Sequence, residues 1–533
     1  MEAKDLEQTR LASYNTWRKL TADEEQQWRE GRLQAVPCAL LLNRKRCGRF
    51  KGRLVVLGDR WKPADPNNSC YASVVSSVAN RCVLVRAARA GFVLVPFDIN
   101  NAFLNASLGD LKVCIRLPQS FLDPKEEDDG KRMLNRALYG LPISPRLWSK
   151  TLAKDLGTLG WETTLEDPGV WILKDDGVVV GYLAVYVDDC VLACNTAERS
   201  ATELERINSK HKLTIIKMED RKDGAVRFDL PGADVDYNMG GRSIRISMTD
   251  YVQKLLKKFD MLDAKTLETP SFEEKQLYDE NSKPCDFDYR GCVGALQWLV
   301  TCCRPDIAHS TGMLSHACAR PVAKAMQNCC HKVLSYLKGT ADWGTEYSPD
   351  IEREFNEEFK SLAAHADNAD HVDMKQLDAP VHTFTDASFG VAYKTMRSVS
   401  GVAVYLHGMP VAWKSRVQTV FTTSTTASEW VAMSDGLEIG ESVQALMEFL
   451  MGSSPCAVGP LWCDNRGAVL SSRKGFAGES DEIPKRTRHV ALRHARVIPQ
   501  GYRVWFCSTT KMKADGLTKS VNKQALQTLM MGR

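Results

Sequence analysis

The chain has 533 residues, 44% hydrophobic and 26% charged, and its 70 Lys+Arg against 66 Asp+Glu leave a net charge of +4. That length gives room for about three domains at roughly 150 residues each, and the composition excludes a chain too polar to bury a sizeable core. So mild a charge balance excludes a uniformly basic protein, and any basic surface has to be local.

The 17 Cys form no Cys-x-x-Cys pair and no Cys/His set with zinc-finger spacing. Scattered single thiols in so long a chain read as reduced core residues of an intracellular, cytoplasmic protein. The opening stretch, MEAKDLEQTR, has no apolar signal-peptide core, and no apolar run reaches the roughly 18 residues of a membrane span.

Residues 1–36 are charged and helix-prone. NRKRCGRFKGRLVVLG then places Arg44, Lys45, Arg46, Arg49, Lys51 and Arg53 before an apolar strand. Such a cluster suits a solvated basic loop or a flap that grips phosphates. GFVLVPFDINNAFLN begins as a buried strand and meets Asp98 where the apolar run ends, with Pro96 awkwardly removing a ladder donor. LDPKEEDDGKR is a charged turn. GVVVGYLAVYVDDCVLACN has the pattern of a β-hairpin with Asp188 and Asp189 near its tip. In TDYVQKLLKKFDML, Tyr251, Leu255, Phe259 and Leu262 share one helical face and Thr249 is a candidate cap. Several short helices, punctuated by Pro305 and Pro321, are expected from Cys285 to Thr340. Residues 350–380 turn acidic and polar and read as a linker or loosely attached insertion.

A new pattern starts at Val381. VHTFTDASFGVAY reads as a strand carrying Asp386, and two further strands meet at a short turn, His407–Gly408. A long helix carries Glu429 in its first turn, a strand ends at Asp464, and Asp515 follows the last strand.

Burying one carboxylate costs several kcal/mol, and an adjacent like charge makes matters worse. The Asp188–Asp189 pair lies between two apolar runs, which an exposed turn does not need. Mg²⁺ takes oxygen ligands, and two ions about 4 Å apart clamp the attacking and leaving oxygens of a phosphoryl transfer. Asp98, at the end of another strand, is a candidate third ligand. Neighbouring side chains on a strand point to opposite faces, so the two adjacent acids meet at one site only if a turn twists the backbone. Asp386, Glu429, Asp464 and Asp515 form a second four-carboxylate set, although each alone suits a solvated acid or a cap.

FKGRLVVLG, FDINNAFLNASL, ALYGLPISPRLW (Ala137–Trp148), YVDD, YRGCVGALQWLVTCCRPDIAHSTGMLS and VLSYLKGT occur in this order. SVSGVAVYL, ASEWVAM, CDNRGAV, KRTRHVALRH and KADGLTKS follow. From about Trp28 to Val521 the series resembles the polymerase part of a Ty1/copia-type retrotransposon polyprotein. A lone DD is weak; the ordered series is highly specific. The resemblance implies a mixed α/β multidomain protein: a helical extension (1–36), right-hand polymerase fingers, palm and thumb (37–270), a helical connection region (271–349), the acidic linker (350–380) and a ribonuclease H-like domain (381–533).

Asp98, Asp188 and Asp189 then match the polymerase metal-binding acids, and Asp386, Glu429, Asp464 and Asp515 the ribonuclease H acids. Phe103 matches an aromatic that excludes ribose 2′-OH groups. Tyr139 and Gly140 match positions lining the incoming nucleotide, and Lys51 and Arg53 are candidates for its phosphates. Arg486, Arg488, His489, Arg493 and His494 are candidates for an RNA–DNA hybrid surface, or else an ordinary basic helix face. The implied cofactor is Mg²⁺, two ions per site, with Mn²⁺ as an alternative. The implied partners are an RNA template, a DNA primer, RNA–DNA hybrid and dNTPs, with no membrane.

Some positions depart from the family pattern. Pro142 stands where Lys is usual, Arg227–Val235 replaces a Phe-Leu-Gly strand near the primer, and Ala491 stands where Asp is common. Nothing here resembles the capsid, protease or integrase segments that normally precede the polymerase, which suggests a truncated element, a fragment or a processed product. The expected activity is RNA-directed DNA synthesis with cleavage of hybrid RNA. The rivals are an inactive or domesticated remnant that binds nucleic acid, or a protein in which only the ribonuclease H works. All seven acid positions are filled, which favours the enzyme.

Overall fold

The structure, a computed structural model, describes residues 2–44, 50–62, 70–122, 127–230, 232–368, 374–478 and 490–530. Its architecture is mixed α/β, with four sheets among the described residues.

In the first sheet, Ala35–Arg44 and Phe50–Val56 form an antiparallel hairpin. Alternation along the second strand buries Gly52, Leu54 and Val56, and leaves Lys51, Arg53 and Val55 half-buried on the opposite face. This one pattern supplies both a core face and a basic face. Lys45, Arg46 and Arg49 of the basic cluster lie outside the described residues.

The second sheet has six strands, with Val93–Ile99 hydrogen-bonded between Leu213–Ile215 and Asp189–Cys194. Pro96 is tolerated in this inner strand for a local reason. Its carbonyl accepts the Ile216 N–H (2.9 Å), so its donor-less edge faces a neighbour whose pairing has already ended at Ile215. Beneath the sheet runs the helix Ser77–Ala90. Ser76 Oγ accepts from Ala79 N at its start, and Gly91 closes its end at φ +70°.

That helix fastens the two halves of the chain. The buried Arg81 guanidinium donates to the carbonyls of Thr301 (2.9 Å), Cys302 (2.7 Å) and Val411 (2.7 Å), and lies 4.2 Å from the Trp413 ring centre. A buried charge is tolerated when carbonyls and an aromatic face surround it in this way. One hydrophobic core runs from Val75 through the 289–339 helices to Leu529, so the halves are not beads on a string.

The third sheet contains the Val226–Leu230 and Ala233–Asn238 hairpin, where Arg227 pairs across the strands with Asp236 (2.5 Å). The helix that follows is Thr249–Lys258. Thr249 is its first residue and not its cap, which is Met248. It stops before the expected Leu262, which is exposed, because the chain turns left-handed at Asp260 (φ +56°).

The acidic stretch after Tyr347 is packed, not loose. Pro349–Ala363 is a helix capped by Ser348, and it buries Phe355 and Phe359. Phe355 stacks on Tyr405 (5.5 Å) and Phe359 lies 5.0 Å from Phe384. The acids that suggested a linker are the solvated face of an amphipathic helix.

The fourth sheet has the order Met409–Val417, Val399–Leu406, Val381–Ser388, Leu461–Cys463, Val504–Phe506. The first three strands are antiparallel and the last two join in parallel. His407 and Gly408 both have positive φ (51° and 86°), as a two-residue hairpin turn requires. The helix Thr425–Leu450 packs on this sheet, with Gly436 and Gly440 against Thr383 and Thr385 where a Cβ would clash. No described helix is long and apolar enough to cross a membrane.

Candidate active sites: two carboxylate clusters

The strand register brings the first three acids together. Asp98 lies directly opposite Asp189 across the sheet. Asp189 in turn faces Tyr186 across the hairpin, leaving Val187 and Asp188 as its two-residue turn. Val187 takes φ +62°, the twist that the adjacent acids need. The Asp188 carbonyl accepts the Ile99 N–H (2.8 Å), which ties the turn to the Asp98 strand.

Like charges directly opposite on a sheet repel. Asp98 is pushed up to about 6, first by burial and then by Asp188 and Asp189, with Lys51 and Arg53 offsetting part of the effect. Asp189 is raised by burial and by Asp188. The basic face of the first sheet therefore looks onto the acids of the second.

Around them stands the segment following Ala137. The Phe103 ring meets Tyr139 edge-on at 5.0 Å, and the Arg53 guanidinium lies 4.8 Å from the centre of the Tyr139 ring. The Tyr139 carbonyl accepts the Val56 N–H (2.8 Å). Gly140 has φ +82°, and a Cβ there would sit 2.1 Å from the Val56 carbonyl, so only glycine fits. Pro142 packs against Gly58, where a Cβ would lie 2.6 Å from its Cδ. The structure thus gathers Lys51, Arg53, Phe103, Tyr139 and Gly140 beside the acids.

The second cluster is tighter. Oxygens of Asp386, Glu429 and Asp464 all lie within 4.8 Å of one another, the one such group of three among the described residues. Asp386 comes from the first strand of its sheet, Glu429 from the long helix, and Asp464 from the residue after Leu461–Cys463. Glu429 is buried, accepts the Ala387 N–H (3.3 Å), and is raised well above the carboxylate range by burial and then by Asp386 and Asp464. Asp515 begins a short 3-10 turn and is pushed up to about 6 by burial and by Asp386.

Three residues at this cluster were not anticipated. Lys519 Nζ lies 2.9 Å from Asp515 and 3.8 Å from Asp386. Thr518 Oγ1 donates to Asp386, and Thr509 Oγ1 donates to Asp464 (2.9 Å). The signal for Lys519 was its spacing, four residues after Asp515, which pairs opposite charges on a helical turn. Thr509 carries no sequence signal.

Of the hybrid candidates, Arg493 and His494 lie among the described residues. His494 is buried and packs on Trp430 at 4.1 Å, so it leaves the surface set. Arg493 pairs with Asp435 (3.1 Å), which Lys414 also approaches (3.3 Å). Arg486, Arg488 and His489 lie outside the described residues.

Both clusters offer hard oxygen donors with unbalanced negative charge in part-buried surroundings. That donor set fits Mg²⁺ or Mn²⁺ and not a soft metal.

Residues 34–273, which contain the first cluster, match the reverse transcriptase (RNA-dependent DNA polymerase) family. Over 90% of its length the chain is 27% identical to the retrovirus-related Pol polyprotein from transposon RE2 of Arabidopsis thaliana, of which it covers 30%. It is 24% identical to that from transposon TNT 1-94 of Nicotiana tabacum, covering 90% of this chain and 34% of the relative. It is 22% identical to the transposon Ty1-DR6 Gag-Pol polyprotein of Saccharomyces cerevisiae, covering 97% and 28%. Pol polyprotein homologues from copia/Ty1-type transposons thus cover most of the chain, and the chain spans about a third or less of the length of these relatives.

Proposed function

We propose that the chain is an RNA-directed DNA polymerase of retrotransposon type with a second, ribonuclease H-like active site. The single observation that carries the polymerase reading is the register of Asp98 against Asp189 at the acid turn, within the segment that matches the family. In this reading residues 37–270 form fingers, palm and thumb after an N-terminal extension (1–36). Residues 271–349 form the connection, 350–380 join it to the rest, and 381–533 form the ribonuclease H-like domain. The mixed sheet order of the last part and its four acids support that assignment.

Asp98, Asp188 and Asp189 would hold the divalent cations of the first site, and Asp386, Glu429, Asp464 and Asp515 those of the second. Bound there in pairs, such cations supply the charge that lets a primer 3′-OH, or a water, displace at phosphorus. The chain's own residues then divide the remaining work. Lys51 and Arg53 neutralise the triphosphate of a dNTP, and Tyr139 and Gly140 form the floor beneath it. Phe103, braced edge-on by Tyr139, closes the space a ribose 2′-OH would need. At the second site Thr518 and Thr509 orient Asp386 and Asp464, and Lys519 balances charge. The hybrid is read by shape, phosphates and 2′-OH groups rather than by base sequence.

The test is primer extension on an RNA template, with hybrid cleavage followed in parallel. Asp188→Asn is expected to abolish extension and spare cleavage, and Glu429→Gln to do the reverse. A wild-type protein inactive in both assays, with Mg²⁺ or Mn²⁺, would overturn the enzyme reading.

A further inference from the structure

The turn that carries the first acid pair is held from two sides. Val187 lies in the left-handed region, at φ +62°, where a β-branched residue is an outlier that persists only under outside restraint. Consecutive carbonyls of this turn are both engaged. Asp188 O accepts the backbone N–H of Ile99 (2.8 Å), and Val187 O accepts the indole Nε1–H of Trp148 (2.8 Å).

The indole is itself fixed. Trp148 is 2% exposed and meets His211 edge-on at 5.1 Å. His211 Nε2 lies 2.9 Å from Asp155 Oδ2, which is on the same helix as Trp148, Ser144–Thr158. That helix starts at Ser144, whose Oγ donates to the Leu138 carbonyl (2.7 Å) and accepts the Leu138 N–H (3.1 Å), beside Tyr139. A buried aromatic needs only bulk; this one also spends its single donor on the one peptide group whose orientation sets the acid pair.

We propose that Trp148 is a positioning residue for the polymerase reaction. Its N–H fixes the Val187 peptide, and through it the directions of Asp188 and Asp189 toward Asp98. The proposal rests on the polymerase reading and concerns geometry that the reading does not require.

Trp148→Phe keeps an aromatic ring and loses the donor, and Trp148→Leu serves if the phenylalanine variant folds poorly. Leu152→Ala is the packing control: it opens the same hydrophobic cluster one helical turn on and keeps the Trp148 N–H to Val187 carbonyl bond. Extension is measured against Mg²⁺ concentration, with template–primer binding, Mn²⁺ binding by electron paramagnetic resonance, and thermal unfolding alongside. Trp148→Phe is expected to lower kcat and to raise the half-saturating Mg²⁺ by about tenfold, the range of orienting groups around metal ligands. Template–primer binding should stay within about twofold, a change too small to register as a lost contact. Leu152→Ala should lower the unfolding temperature at least as much while keeping the wild-type Mg²⁺ dependence. Wild-type metal dependence in both donor-less variants overturns the proposal, as does an equal shift in Leu152→Ala. A wild-type protein that extends no primer removes the polymerase reading and this inference with it, an outcome distinct from either.

Discussion

The two acid clusters confine like charges by different means. The first is built from strand register: Asp98 and Asp189 face each other across one sheet, and their counter-charges, Lys51 and Arg53, come from a separate sheet. The second is built from convergence: three elements send Asp386, Glu429 and Asp464 to one point, and Lys519, paired with Asp515, brings the chain's own cation to it. The first therefore stays open between two sheets, where a long polymer and a nucleotide have to enter. The second is more deeply set, with Asp386 and Glu429 buried and Asp464 half-buried. In the proposed reading, one site gathers a nucleotide between two sheets and the other grips a phosphodiester at a convergent set of acids.

The largest effect separating the two comes from Asp98→Asn. Extension should fall by about a thousandfold or more, the scale of losing a catalytic group, while cleavage persists. The same change should raise the unfolding temperature in EDTA at pH 7, because it removes repulsion from Asp189. Asp98 has a folded pKa of about 6, above its unfolded value of 3.8. Its charge thus costs stability above pH 6, and the cost fades as pH falls from about 6 toward about 3.8. The stabilising margin of the variant should fade over that window and reverse when Mg²⁺ is added, since only the wild type then gains from binding. Calorimetry at pH 7 and 4.5, with and without Mg²⁺, checks each sign.

Asp98, the Asp188–Asp189 pair and Asp464 were legible in the sequence because they sit at the ends of apolar runs, and that placement is local. Sequence reading did not reach what aims them. Val187 gives no sign of a left-handed φ, and Trp148 looks like any core aromatic. Pro96 counted against an inner strand until the early end of its neighbour at Ile215 explained it. The stretch from Asp350 to Pro380 read as loose because charged and polar residues predominate there, yet Phe355 and Phe359, four apart, were the buried face of a helix. His494 read as surface because its neighbours are basic, and nothing local could reveal that Trp430 covers it.

Gly140→Ala tests the opening between the sheets. The added Cβ meets the Val56 carbonyl at 2.1 Å and the residue has φ +82°, so the pocket segment has to move away from the basic strand. Extension should fall by about a hundredfold, since an ångström of misplacement costs that much. Hybrid cleavage should change by no more than about twofold, because distant sites act independently.

Lys519→Met sharpens the contrast from the other side. Removing the built-in cation leaves Asp386 and Asp515 less balanced, so the protein should unfold at lower temperature in EDTA. The more negative cluster should bind Mn²⁺ tighter by about three- to tenfold, as losing one nearby like charge allows. Extension should not change. Weaker Mn²⁺ binding in the variant would mean that Lys519 orders the acids and does not compete with the ion.

The smallest effect concerns what keeps the two regions in one body. Glu352, on the Pro349–Ala363 helix, accepts from Arg89 of the Ser77–Ala90 helix (3.1 Å), from Tyr347 (2.9 Å) and from His407 of the fourth sheet (2.9 Å). Burial alone would raise its pKa, but the bonds from His407 and Arg89 outweigh it and hold the carboxyl down to about 2, against 4.5 unfolded. Burial lowers the pKa of His407, and the lasting positive charge beside Glu352 is that of Arg89. A depressed carboxylate stabilises the fold above its unfolded pKa and loses that contribution as pH falls from about 4.5 to about 2. Glu352→Gln should therefore lower the unfolding free energy from urea titration at pH 7 by about 1.5–3 kcal/mol, the usual scale of a hydrogen bond to a charged group. The gap to wild type should narrow between pH 4.5 and 3. Both activities should survive, but any synergy between extension and cleavage on one template should weaken, because this contact joins the helix packed on the first cluster's sheet to the sheet that carries the second. A gap that widens on acidification would place the stabilising charge on His407 and not on Glu352.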